Sequence, residues 1–162
     1  MDIFSHGLWG YAFFGRRGLA WLACFFGVFP DLISFGILMA INIVNRSFQF
    51  GKPDLAGIPA WTFVAYNWSH SLVVALVAIA VVWRINKIAA FTMFAWVFHI
   101  LLDIPTHSKE FFPTKFLWPL SDITFDGVSW VTPWVWFSNL AGLIIIYGII
   151  IYKRYKGEKN TF

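Results

Sequence analysis

The run from Ile88 to Leu102 contains no Asp, Glu, Lys or Arg beyond its opening turn, yet it carries His99, is followed at once by Asp103, and leads through Pro105 to His107. His99 and Asp103 are four apart, so on a helix they sit one above the other on the same face. An apolar helix that presents an imidazole and a carboxylate on one face bears a desolvation cost of several kcal/mol unless something binds there. Pro105 turns the chain off the helix within about one turn, and His107 then folds back over its end. The stretch His99-Ile100-Leu101-Leu102-Asp103-Ile104-Pro105-Thr106-His107 therefore reads as a metal site, against which the rest of the chain is tested.

Composition sets the solvent in which this site sits. The chain of 162 residues is 59% hydrophobic and only 12% charged, against roughly 25% charged in globular proteins. This predicts an all-α, polytopic integral membrane protein forming a single membrane-embedded domain over residues 1–162, with four or five spans. One cysteine, Cys24, lies inside an apolar run and cannot form an intramolecular disulfide. No Lys or Arg precedes Arg16, which is the wrong pattern for a cleaved signal peptide. The net charge of +4 comes mostly from basic membrane flanks, with no stripe suited to nucleic acid.

About five helical segments follow in order. Residues 2–15 form a first segment, short for a span, in which Asp2 and His6 are again four apart. Gly15-Arg16-Arg17-Gly18 is a basic turn. Leu19 to Val44 is a long apolar run interrupted by Pro30-Asp31, either one kinked helix or two half-helices. Asn45 to Asn67 reads as a polar loop broken by Gly51, Pro53, Gly57 and Pro59. Trp68 to Trp83 is a third span, Arg84-Ile85-Asn86-Lys87 a tight turn, and Ile88 to Asp103 a fourth. Pro105 to Thr132 is an aromatic loop, and Pro133 to Tyr152 the last span, ahead of a basic tail over 153–162.

Eight of the basic residues (Arg16, Arg17, Arg84, Lys87, Lys153, Arg154, Lys156, Lys159) gather on one side and four (Arg46, Lys52, Lys109, Lys115) on the other. The positive-inside rule puts the first group in the cytoplasm and the N-terminus and the two long loops outside. Counted at about 1.5 Å per helical residue from the nearest cytoplasmic turn, Asp2, His6, Asp31, His70, His99 and Asp103 lie about 15–24 Å up, within a hydrocarbon core about 30 Å thick. Groups from four segments thus share one slab in the outer half of the bilayer.

His and Asp together suit zinc or another borderline divalent metal, and an open coordination position at such a site activates water. The metal set read from the residues is His6, Asp31, His70, His99, Asp103 and His107, enough for two or three ions, zinc first and manganese as the alternative. Asp31 and Asp103 are the candidate catalytic groups. For any one histidine the bland reading is a buried ring bonded to a carbonyl or to Ser5, Ser69 or Ser71, and for Asp31 it is an N-cap after Pro30. Convergence of six at one depth argues against the bland reading as a whole. Asp2, Asp122 and Asp126 are candidate additional ligands or bases, with solvated loop acids as the alternative for the last two. Lys109 and Lys115 are candidate holders of a substrate phosphate, or else interfacial lysines. Trp118, Trp130, Trp134 and Trp136 read as an interfacial belt, or in a sharper version as a lipid-facing lid.

At these residues the chain resembles the bacterial and archaeal inner-membrane proteins described as membrane-bound metal-dependent hydrolases. The matching pieces are His6, Pro30-Asp31, Ser69-His70-Ser71-Leu72, His99-Ile100-Leu101-Leu102-Asp103 with Thr106, and Leu117-Trp118-Pro119. Tyr66-Asn67 stands where that family often has His-Arg, Ile33 where it often has a second Asp, and His107 where relatives commonly have Pro. The ligand order is also similar to that of the zinc-dependent phospholipase C and nuclease superfamily, with Asp122 and Asp126 at the place of its last His/Glu pair. These resemblances imply a metal-dependent hydrolase of the phospholipase C or phosphodiesterase kind, cleaving a phosphoester of a membrane lipid head group at the outer-leaflet side. The rival class is a non-enzymatic metal or proton carrier or sensor using the same cluster. A carrier needs polar groups leading to both faces, and Leu19 to Gly27, Leu72 to Val82 and Ala89 to Val97 supply almost none. A structural staple, with a closed metal shell, is a third reading. Oligomeric state and the particular lipid stay open.

Overall fold

The computed structural model describes residues 1–15, 19–49 and 54–157, and every regular element among them is helical. The basic turn at Arg16-Arg17-Gly18, the breakers Gly51 and Pro53 with Lys52, and the tail from Glu158 and Lys159 onward lie outside the described residues. Three helical rods are long and apolar enough to cross a membrane: Ala20–Val44, Lys87–Thr106 and Pro133–Tyr155. A fourth crossing is available if two bent helices, Ala60–Ser69 and Leu72–Ile85, act as one span.

The first helix, α1 (Ile3–Phe14), starts at Asp2, whose carboxylate accepts from Ser5 N. Its 12 residues reach only about 18 Å. α2 (Ala20–Asp31) packs back along α1, and the two backbones approach closely through glycine. A Cβ on Gly27 would lie 2.4 Å from the His6 carbonyl oxygen, and one on Gly10 would lie 2.6 Å from that of Ala23. In a lipid solvent, where apolar burial drives little, such small-residue contacts hold helices together.

Pro30 leaves the run from Ala20 to Val44 as one rod rather than two half-helices. Pro30 lies inside α2, and a π-helical stretch at Leu32–Gly36 follows it, after which α3 (Ile37–Val44) continues. Asp31 is itself helical and its side chain caps nothing, which rules out the N-cap reading.

The loop expected over 45–67 and the span expected from Trp68 both need correction. A helix, α4 (Ala60–Ser69), forms inside that segment, and the chain then bends by 55° into α5 (Leu72–Ile85). The bend falls at His70-Ser71. Ser71 adopts an extended backbone, its hydroxyl accepts from Val74 N to cap α5, and it donates to the Trp118 carbonyl. With α4 added, the helical rods number six among the described residues instead of about five.

α6 (Lys87–Thr92) and α7 (Phe94–Thr106) form the next rod, with Pro105 in its last turn. The chain leaves the helix at His107, which is extended. A returning segment meets the carbonyls exposed there. Gly127 N donates to His107 O, Val128 N to Pro105 O and Trp130 N to Thr106 O, at 2.9–3.0 Å. Gly127 permits this approach, since a Cβ there would lie 2.3 Å from Pro105 O. Ala75, Ile79, Ala90, Met93, Trp96 and Ile100 form the main core between α5, α6 and α7.

α8 (Pro133–Tyr155) rides against α1 with most of its surface uncovered, including Ile144 and Ile145. Arg154 donates to the Tyr11 hydroxyl at 3.2 Å, and the Phe14 and Phe91 rings are 5.8 Å apart. The ends of α1 and α8 and the start of α6 therefore meet at one end of the bundle. The buried histidines sit toward the other.

A candidate metal centre

Each candidate ligand stands close to a helix end or to a departure from regular helical geometry. Asp31 precedes the π-helical stretch, His70 sits at the break between α4 and α5, and Asp103 lies in the final turn of α7 beside Pro105, one turn after His99. His6 is in the first turns of α1 and His107 just past the end of α7. Such irregular places are common at functional sites, and here they bring four separate segments to one point.

Asp31, His70, His99 and Asp103 each offer one ligand atom, and these four atoms lie within 4.8 Å of one another. His99 Nε2 is 3.1 Å from His70 Nε2 and 3.1 Å from Asp103 Oδ2. His70 Nε2 is 3.5 Å from Asp31 Oδ1 and 3.4 Å from Asp103 Oδ2. This group of residues can hold a metal ion.

The outer contacts say which nitrogens are free. His99 Nδ1 lies 2.7 Å from the Gly27 carbonyl oxygen, which can only accept, so Nδ1 carries the proton and donates it. His70 Nδ1 likewise faces the Tyr66 carbonyl at 3.1 Å and the Ser69 hydroxyl at 2.9 Å. Both Nε2 atoms are then lone-pair acceptors, and they face each other and two carboxylates. Acceptors brought together in a low-dielectric interior repel unless a cation or a proton lies between them. Fixing imidazole through its far nitrogen is also how proteins orient metal-ligating histidines. Asp103 Oδ2, fully buried, has no hydrogen-bond donor among the described residues.

The other carboxylate oxygen of Asp103 faces a second set of groups. Oδ1 is 3.0 Å from His6 Nε2, 3.5 Å from His107 Nδ1 and 2.5 Å from the Met1 nitrogen. The His6 ring stacks on that of His99 at 3.7 Å, and its Nδ1 is buried without a partner among the described residues. His107 Nδ1 also lies 3.1 Å from the Asp103 carbonyl, so as a donor to it His107 keeps Nε2 free.

The side chains of His6, His70, His99 and Asp103 are at most 1% exposed, whereas that of Asp31 is 13% exposed. Asp31 is thus the least covered of the four converging groups, and His107, beside Asp103, is 12% exposed.

The remaining candidates lie elsewhere. Asp2 is occupied as the cap of α1, accepting from Ser5 N at 2.9 Å and Ser5 Oγ at 2.6 Å. Asp122 is exposed and pairs with Lys115 at 2.7 Å, and Asp126 accepts from Lys109 N at 2.9 Å. Lys115 and the two loop acids are thus engaged within the loop rather than with the histidines. Trp134 and Trp136 are exposed, while Trp118 packs edge-on against Trp68 at 4.7 Å.

Sequence reasoning missed Gly27 and Tyr66, whose carbonyls fix His99 and His70. Tyr66 also stacks its ring on His70 at 3.8 Å. The available signal was spacing: Gly27 is four before Asp31 and Tyr66 four before His70, so each shares a helix face with a ligand. Comparison with protein-family models, with curated proteins and with solved structures gives no match for this chain.

Proposed function

We propose that this protein is a membrane-embedded metal-dependent hydrolase, acting on a phosphoester of a lipid head group at the side of the membrane where the histidines lie. The observation that carries the reading is the apposition of His70 Nε2, His99 Nε2, Asp31 Oδ1 and Asp103 Oδ2, with both Nδ1 atoms turned to backbone carbonyls. A divalent cation bound there, zinc first and manganese second, supplies Lewis acidity and lowers the pKa of water. Asp103 is buried between two sets of imidazoles, with Oδ2 facing His70 and His99 and Oδ1 facing His6. Its second oxygen, with His6 Nε2 at 3.0 Å, is the basis for a second ion.

Asp31, the most exposed of the four converging groups, would orient the attacking water and accept its proton. Partial exposure of Asp31 and His107 favours hydrolysis over a structural staple, which closes its shell. The apolar α5 and α6–α7 core beneath the histidines favours a one-sided site over a carrier. The resemblance to membrane-bound hydrolases and to the phospholipase C order of ligands supplies the phosphoester. Burial within spanning helices supplies the lipid, entering sideways with its acyl chains left in the bilayer.

The test begins with elemental analysis of the full-length protein in mild detergent, beside the double variant His99→Ala/Asp103→Ala. Wild type carrying zinc or manganese, absent from the double variant, is the expected result. Hydrolysis of a lipid phosphodiester in mixed micelles by the metal-loaded wild type, lost in the double variant, completes it. Metal held with no phosphoesterase activity would sink the hydrolase reading, and no metal at all would point to an ion or proton relay.

A further inference from the structure

α8 is almost wholly uncovered by the rest of the chain, yet one of its side chains reaches the ligand-bearing turn of α1. Asn139 uses both ends of its amide: Nδ2 donates to Ser5 Oγ at 2.7 Å, and Oδ1 accepts from Trp9 Nε1 at 2.8 Å. Ser5, itself buried, donates its hydroxyl to Asp2 Oδ2 at 2.6 Å. The other Asp2 oxygen accepts from Ser5 N at 2.9 Å, and the Asp2 carbonyl accepts from His6 N at 3.2 Å. A continuous chain of hydrogen bonds thus runs from Asn139 through Ser5 and Asp2 to the backbone of His6, whose Nε2 lies 3.0 Å from Asp103 Oδ1.

The physical consequence follows from where His6 stands. The first turn of a helix has N–H groups without intrahelical partners and frays unless they are capped. A frayed turn here would carry the imidazole of His6 away from Asp103. In hydrocarbon the Asn139 amide has no water to return to, so its two bonds are the favoured state and tie α8 to α1. Phe137 and Leu140, on either side of it in the chain, are exposed, so the amide is not fixed by burial of its neighbours. Gly142 lets α8 close on the same Trp9, since a Cβ there would lie 3.1 Å from the indole.

We infer that Asn139 is a positioning residue for His6: through Ser5 and Asp2 it sets the first turn of α1 and so holds the His6 imidazole against Asp103. The inference rests on reading His6 and Asp103 as parts of a metal centre. It assigns α8 a role beyond anchoring, because the bond network reaches the site from a helix that contributes no ligand. Outer-sphere contacts of this kind typically tune metal affinity about 10–100-fold.

The test is a double-mutant cycle on zinc affinity, read by competition with a chromophoric chelator on the full-length protein in mild detergent. The variants are Asn139→Leu, His6→Ala and the two combined. His6 is outside the four converging ligand atoms, so His6→Ala keeps a measurable site. Asn139→Leu is expected to weaken zinc about 10-fold or more in the wild-type background. In the His6→Ala background it is expected to change affinity less than about 2-fold, since the group it acts through is gone. A purely structural role for α8 would give the same loss in both backgrounds, and that additivity would overturn the inference. So would wild-type affinity in Asn139→Leu. Should Asn139→Leu fail to fold, Ser5→Ala breaks the same chain one bond further on and takes its place in the cycle. A loss seen only when His6 is present then supports the inference, and an equal loss in both backgrounds overturns it. Wild type that binds no zinc or manganese would instead remove the metal centre itself, a failure distinct from a bound metal that ignores Asn139.

Discussion

His70 and His99 meet Nε2 to Nε2 at 3.1 Å, each with its opposite nitrogen turned to a backbone carbonyl. With Asp31 and Asp103 around them, the two rings form a group that can hold a metal ion.

Asp103→Asn keeps the shape of the side chain but removes its charge and puts an amide among the imidazoles. It is expected to weaken zinc at least about 100-fold, because it alters the one group that faces both histidine sets. Chelator competition on the purified variant measures this. Undiminished affinity would show that Asp103 is not a ligand.

Metal removal is expected to lower the thermal midpoint of the protein in detergent. A ligand that binds only the folded state stabilises by about 2.7 kcal/mol at a free concentration of about 100 Kd. The comparison is between zinc-loaded and chelator-treated samples, with His99→Ala insensitive to both treatments.

Tyr66→Phe separates the loop at Phe112 and Thr114 from the site. The hydroxyl bonds the Phe112 carbonyl at 3.2 Å and Thr114 Oγ1 at 3.0 Å, while the ring and the backbone carbonyl face His70. Losing the hydroxyl is expected to cost about 1–3 kcal/mol of stability with zinc affinity unchanged. Thermal melting and chelator competition on the same sample check both halves.

Gly27→Ala places a Cβ 2.4 Å from the His6 carbonyl oxygen, a side-chain atom against backbone with nothing flexible to give way. Prising α1 from α2 is expected to cost about 1–3 kcal/mol and to weaken zinc, because the Gly27 carbonyl orients His99. Gly148→Ala is the matched control: nothing lies within 4 Å of its Cβ, and the helix is expected to gain up to about 1 kcal/mol. Melting curves of the two variants should move in opposite directions.

Depth along the chain is informative because helical rise is nearly constant. Chain position alone puts His6, Asp31, His70, His99 and Asp103 in one slab, and they do meet. Asp2 shares that slab and is spent on capping, since depth says nothing about which way round a helix a side chain points. α4 is hidden from a local reading because Gly57 and Pro59 mark a loop, although the apolar residues from Ala60 onward belong to a helix bent by 55° at His70.

What the sequence determined by itself was a set of helices long and apolar enough to cross a membrane and the imidazole and carboxylate groups they carry. Runs such as Ile88 to Leu102 can satisfy their backbone only as helices in an apolar medium, and His99 with Asp103 four residues on must share a face. What the tertiary structure decided was convergence and protonation. Only the approach of α2 to α1 and α7, permitted by Gly27, puts a carbonyl against His99 Nδ1. Only the break after Ser69 turns His70 toward the same point. Contacts between residues as far apart as Gly27 and His99, or Ser5 and Asn139, depend on how helices are docked. No local pattern along the chain encodes that geometry.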